Sequence, residues 1–176
     1  RTWWSETVGK AVRETGTDGV FWDQMHGWNY LRWDRRETVA EAHVLLQKMA
    51  TTMIGEDRIL LCNNAAHRQE FIENCDAVMY EHHKPGQYRE NFQRYVDDWD
   101  QMLAVANAGK INVYRWPVNR KGTKFEKSDH RVIGGTANHD EVAEIAKARI
   151  TFPLACFLIG AQPYSYFMLS WGWGTY

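Results

Sequence analysis

Two acidic side chains close short apolar runs: Asp23 follows Gly19-Val-Phe-Trp, and Glu81 follows Ala77-Val-Met-Tyr80. Where short parallel strands end side by side, such carboxyl groups meet at one mouth. Two carboxyls are the reagents for cleaving a glycosidic bond: one protonates the leaving oxygen, and the other attacks the anomeric carbon or activates water. An apolar setting of Tyr80 and Trp side chains would suit Glu81 to the acid role, with Asp23 as nucleophile or base. Each acid has an ordinary alternative. Asp23 could cap the loop at Gln24 or Met25, and Glu81 could pair with Lys84 or Arg89.

Other polar and aromatic side chains fall at the same kind of position. Asn63 and Asn64 close the run Arg58-Ile-Leu-Leu-Cys62. An Asn amide there can hydrogen-bond a sugar hydroxyl, orient a carboxylate or shape a turn. His26, His82 and His83 are expected near the mouth, as substrate ligands or as loop histidines on the surface. Arg115 suits an acidic group of the substrate or a structural ion pair. Trp28, Trp116 and Trp171 offer flat apolar faces for sugar rings, with packing as the alternative, and Tyr80 stands beside them as a further substrate-binding candidate. Alternation along a strand sends Trp22 to the face opposite Asp23, under a helix.

The elements that must carry these groups alternate. Helical spacing and cap signals predict a short helix over 5–16, a long one over 35–54 with Val39, Ala42, Leu45, Leu46, Met49 and Met53 in its repeat, a brief one over 67–74, a long one over 88–108 with Phe92, Tyr95, Val96, Trp99, Leu103 and Val105 mostly on one side, and one over 139–160 interrupted near Pro153. Short apolar runs predict strands over 19–23, 58–62, 76–80, 110–116 and 164–170. Residues 117–137 read as a long Gly- and Lys-rich loop, of the kind usually kept for function. Strict β/α alternation means parallel strands and right-handed crossovers. An open doubly wound sheet and a (β/α)8 barrel both fit. No Gly-rich phosphate loop follows a strand, and polar groups at several strand ends are the barrel's arrangement. The expected fold is thus α/β: an incomplete (β/α)8 TIM barrel forming one catalytic domain over 1–176. Five strands cannot close a barrel, so the expected three remaining strands would precede Arg1, missing or supplied separately.

Composition narrows the partners. The net charge of −1 makes no electrostatic case for nucleic acid or an anionic membrane. The run from Ile150 to Ala161 is too short to span a bilayer. Aromatic residues reach 14%, including nine Trp, which suits carbohydrate contact as well as core packing. Cys62, Cys75 and Cys156 form no CxxC and no zinc-type cluster. Cys62 and Cys156 sit in apolar runs and read as buried thiols, and a Cys62–Cys75 bridge has no further support. His82-His83 beside Glu81 is poor chelating geometry, so no metal and no cofactor are expected. The chain opens at Arg1 with no signal peptide and reads as a cut or processed end; no residue marks a compartment.

These motifs carry a resemblance. Thr17-Asp-Gly-Val-Phe-Trp-Asp23 resembles the "DGVF-x-D" strand of (β/α)8-barrel glycoside hydrolases, among them the hypothetical glycosyl hydrolases and the endo-α-1,4-polygalactosaminidase-like families. Cys75-Asp-Ala-Val-Met-Tyr-Glu81 resembles their later strand running into Glu, with Ala77 where Gly is usual. Leu60-Leu-Cys-Asn63-Asn64 and Tyr166-Phe-Met-Leu-Ser170 resemble the intervening strand and the last one. The resemblance implies a carbohydrate substrate, Asp23 and Glu81 as the acid pair, and hydrolysis of a polysaccharide or oligosaccharide. Two other functions compete. A uronate-directed polysaccharide lyase would use Asn63, Asn64, Tyr80, His82 and Arg115. A non-catalytic carbohydrate-binding barrel would use the aromatics alone.

Overall fold

A computed structural model describes residues 2–29, 33–81, 83, 91–117 and 139–170, except for the side chains at 28, 29, 33, 117, 139, 141, 142 and 145. Helix α1 (Thr2–Thr15) leads into strand β1 (Gly19–Trp22), followed by short 3-10 turns at Met25–Asn29 and Trp33–Arg35. Then come α2 (Arg36–Ile54), β2 (Ile59–Asn63), α3 (Gln69–Glu73), β3 (Ala77–Tyr80), α4 (Gln93–Asn107), β4 (Ile111–Pro117), α5 (His139–Gly160) and β5 (Ser165–Ser170). All five strands and all five helices stand where the sequence periodicity predicts them. The largest shift is at the start of α4, five residues later than expected. Most of the loop predicted over 117–137 lies outside the described residues.

The five strands form one sheet in the order β1-β2-β3-β4-β5, every neighbouring pair parallel. A doubly wound sheet reverses its strand order and carries helices on both faces. This sheet does neither among the described residues. Its alternating side chains divide cleanly. Val20, Trp22, Leu60, Cys62 and Val78 pack against Val12, Ala40, Ala50, Ile54, Phe71, Ile72 and Val105 from the helices and the segments joining them. Tyr114 and Phe167 continue this layer against Met102 and Phe157, and Trp116 against Ala146 and Ile150. Each large apolar side chain buried in this layer contributes about 1.5–3 kcal/mol.

The opposite face carries Phe21, Ile59, Leu61, Met79, Ile111, Val113, Tyr166 and Met168 by the same alternation. It is apolar but open. Phe21 is 50% exposed and Tyr166 54%, while Leu61, Met79, Ile111, Val113 and Met168 are half-buried.

Two helices turn differently from their sequence pattern. In α2 the buried residues are Ala40, Gln47, Ala50 and Ile54, while Leu45 is exposed. This helix meets two neighbours. Its sheet side is deeply buried, whereas Met53 lies under α1, where its backbone abuts Gly9 and accepts a hydrogen bond from Arg13. Gln47, fully buried, donates from Nε2 to the Phe71 carbonyl at 2.9 Å and so ties α2 to α3. In α4 the buried residues are Asp98, Met102 and Val105, and Leu103 is exposed, as is Phe92 just before the helix. Asp98 is an acid on the apolar stripe. It accepts from or pairs with His83 Nδ1 at 3.1 Å, and its carbonyl accepts the Tyr114 hydroxyl at 2.9 Å. α5 runs through Pro153 as one helix; the Pro153 carbonyl lies 3.4 Å from His83 Nε2.

Candidate active site

Strand register assembles the polar groups. The pairing of Trp22 with Cys62 sets Asp23 beside Asn63 at the strand ends. The pairing of Tyr80 with Tyr114 sets Glu81 beside Arg115. All four belong to the face away from the helices. Asn63 joins the two rows: its Nδ2 donates to Asp23 Oδ1 at 2.7 Å and to Glu81 Oε2 at 2.8 Å. Arg115 Nη1 donates to Glu81 Oε1 at 3.1 Å. Both oxygens of Glu81 therefore accept from a donor, which matches an ionised carboxylate.

Burial separates the two acids. Glu81, Asn63 and Arg115 are buried, at 2%, 0% and 6% exposure, whereas Asp23 is exposed. Asp23 Oδ1 also accepts the Gln24 backbone N–H at 2.7 Å, and Gln24 takes a positive φ of 60° to present it. Among the described residues Asp23 Oδ2 has no hydrogen-bond partner. Asn64 holds the turn after β2 with φ 56°, a conformation that Asn tolerates better than most residues. Its N–H donates to the Met79 carbonyl at 2.6 Å, and its Oδ1 accepts the Glu81 N–H at 3.2 Å. One amide thus orients the Glu81 carboxyl and the next one orients its backbone.

Other sequence candidates are placed elsewhere. Tyr80 and Trp116 point into the helix-side layer, Tyr80 in edge contact with Tyr114 and Trp116 stacked on Phe167. Alternation explains both, since each is adjacent in its strand to a residue of the opposite face. Glu81 accordingly lies in polar company rather than against Tyr80. The lyase set is divided: Tyr80 faces the helices and Arg115 engages Glu81. His83 is buried at 1% behind the sheet, on Asp98 and Tyr114. His67 lies near His26; burial first, then the His26 charge, lowers its pKa. Trp28 belongs to the turn Met25–Asn29, with its side chain outside the described residues, as are His82 and Trp171.

Sequence reasoning passed over two groups. Ser170 ends β5 in register with Pro117, and its buried Oγ has no partner among the described residues. The strand-end rule that found Asp23 applies to it equally. Asp98 was signalled by an acid at helical spacing from Tyr95, Met102 and Val105. Among the described residues no cluster of three His, Cys, Asp or Glu could hold a metal ion, and no helix is long and apolar enough to cross a membrane. The three cysteines are free and buried. The neighbouring Cys75 thiol and burial push the Cys62 thiol's pKa up.

A search of curated proteins returns no match. The sequence model of hypothetical glycosyl hydrolase family 15 matches residues 1–175. The chain therefore belongs to hypothetical glycosyl hydrolase family 15, whose name assigns it to glycoside hydrolysis in general.

Proposed function

We propose that the chain hydrolyses glycosidic bonds of a polysaccharide or oligosaccharide with Asp23 and Glu81 as its carboxyl pair. The observation that carries this reading is the Asn63 amide, which donates to both acids at once. Two carboxyls from non-adjacent strands thereby share one site at the strand ends. Consecutive parallel strands with helices on one face, and polar groups at the strand ends, are what a (β/α)8 barrel contributes to such a site. The open apolar face is then the barrel interior, closed by three further strands.

Hydrogen bonding divides the roles differently from the sequence expectation. Glu81, held by Arg115 and Asn63, is the ionised member that meets the anomeric carbon after releasing one donor. Asp23, exposed and with Oδ2 unengaged among the described residues, exchanges the proton with the leaving oxygen and with water. No step needs a metal or an organic cofactor.

The test is reducing-end release across a glycan panel by the protein, by Asp23→Asn and by Glu81→Gln. Turnover by the parent and its loss by about 100-fold or more in both variants is the expected result. Full turnover in either variant removes that residue from the pair. Azide separates the roles: it should restore cleavage of an activated glycoside in Asp23→Ala and give the glycosyl azide with the substrate's configuration, whereas Glu81→Ala should give the opposite one.

A further inference from the structure

We propose that the enzyme keeps the anomeric configuration of its substrate, and that Asn63 is the positioning residue that sets this outcome. The inference rests on the carboxyl pair above and adds its stereochemistry. Asp23 Oδ1 and Glu81 Oε2 lie 2.7 and 2.8 Å from the same nitrogen. Laid end to end these contacts leave the two oxygens at most about 5.5 Å apart, and the roughly 120° between the hydrogens of an amide brings them nearer about 5 Å. Double-displacement glycosidases hold their carboxyls about 5–5.5 Å apart, while inverting ones need about 6.5–9.5 Å to seat a water between acid and base.

The spacing is built in rather than incidental. Asn63 is fully buried, and turning its amide over would aim Oδ1 at two carboxylates. Glu81 is fixed by Arg115 at 3.1 Å and through its N–H by Asn64 at 3.2 Å. Asp23 is fixed through Oδ1 by the Gln24 N–H at 2.7 Å. Admitting a water between the acids would break both Asn63 bonds and strand its buried amide.

The chemistry follows in two balanced steps. A Glu81 oxygen bonds the anomeric carbon from one face as the glycosidic C–O bond breaks, and the leaving oxygen takes the Asp23 proton. Water then bonds the same carbon as the Glu81 ester breaks, and its proton passes to Asp23. Two inversions at one carbon restore its configuration.

The experiment is proton NMR of the product anomer in the first minutes of cleavage, before mutarotation, using the wild-type protein and the best substrate of the glycan panel. The substrate's own anomer is the expected result. The opposite anomer overturns the inference and with it the role of Glu81 as the group that bonds the anomeric carbon, and leaves hydrolysis by the pair standing; no cleavage of any glycan overturns both. For Asn63, the Asn63→Ala variant should lose about 100-fold in kcat per folded molecule with KM changed by less than about threefold, as a misplaced reactive group does. Undiminished kcat in folded Asn63→Ala removes its positioning role. Should that variant fail to fold, Asn63→Ser carries the same test, and the wild-type anomer is decided independently of both.

Discussion

At the scale of single residues, Arg115 and Glu81 are the costliest pair to disturb. Their side chains are only 7% and 3% exposed, so water cannot replace a lost partner. Removing one member of a buried ion pair leaves an uncompensated charge, at about 3–5 kcal/mol, whereas removing both can be nearly neutral. Arg115→Met should therefore lower the denaturation midpoint sharply, and the double variant Arg115→Met with Glu81→Gln should recover most of the loss while remaining inactive. Urea unfolding of the three proteins checks this. The thiols give a second expectation. Reactive cysteine is thiolate, and the contact with Cys75 and burial push Cys62 up, while burial and the Asp98 charge push Cys156 up. Both should resist a thiol reagent at pH 8 in the folded protein and react at once in denaturant. Their burial was legible, because each sits in an apolar run. So was the meeting of Asp23, Asn63 and Glu81 at the strand ends, because a polar residue ending an apolar run has one place to go. Tyr80 and Trp116 are turned into the helix-side layer by the same alternation that sends Trp22 there, so a strand-end position alone does not bring a ring to the mouth.

The elements hold these residues through close contacts whose partners a sequence does not name. Gly19 opens β1 against Ile59, and a Cβ there would stand 2.0 Å from the Ile59 carbonyl oxygen. That neighbour is backbone, part of the ladder that places Asp23 beside Asn63. Gly19→Ala should destabilise the protein by about 1–3 kcal/mol, as overpacking does, and cut turnover further by tilting β1; thermal melts alongside glycan assays would show both. The segment leaving β3 is pinned from behind by His83 on Asp98 and the Pro153 carbonyl. Asp98→Ala deprives a buried imidazole of its partner, so a loss of about 1–3 kcal/mol is expected. Helix and strand positions were readable from period alone. Which side of α2 and α4 faces inward was not. α2 is shared between the sheet and α1, and α4 buries an acid, so neither presents the single apolar stripe that periodicity assumes.

The largest feature of the whole molecule is a sheet that, among the described residues, is covered on one side. Alternating strands with one-directional winding were legible in the order of runs, and the absence of a phosphate loop favoured a barrel over a doubly wound sheet. Closure was not legible, because it depends on partners of β1 and β5 rather than on any residue within them. Phe21, Ile59 and Tyr166 are 50%, 41% and 54% exposed, and five more apolar side chains on that face are half-buried. Soluble monomers rarely show a contiguous apolar patch beyond a few hundred Å². If the face is a barrel interior, residues 1–176 produced alone should bind a hydrophobic dye and self-associate. Phe21→Lys with Tyr166→Lys should suppress both by placing charge on the patch. The same pair of changes in a polypeptide that supplies three further β/α units should do the reverse, destabilising it by several kcal/mol, because there a charge would be buried without a partner. Dye fluorescence and sedimentation of the short form, with melting of the long one, read the two signs. A dye-silent, monomeric short form, or a long form indifferent to the charges, would mean that this face meets water in the native protein, and the site would then be an open groove along the strand ends rather than the mouth of a closed barrel.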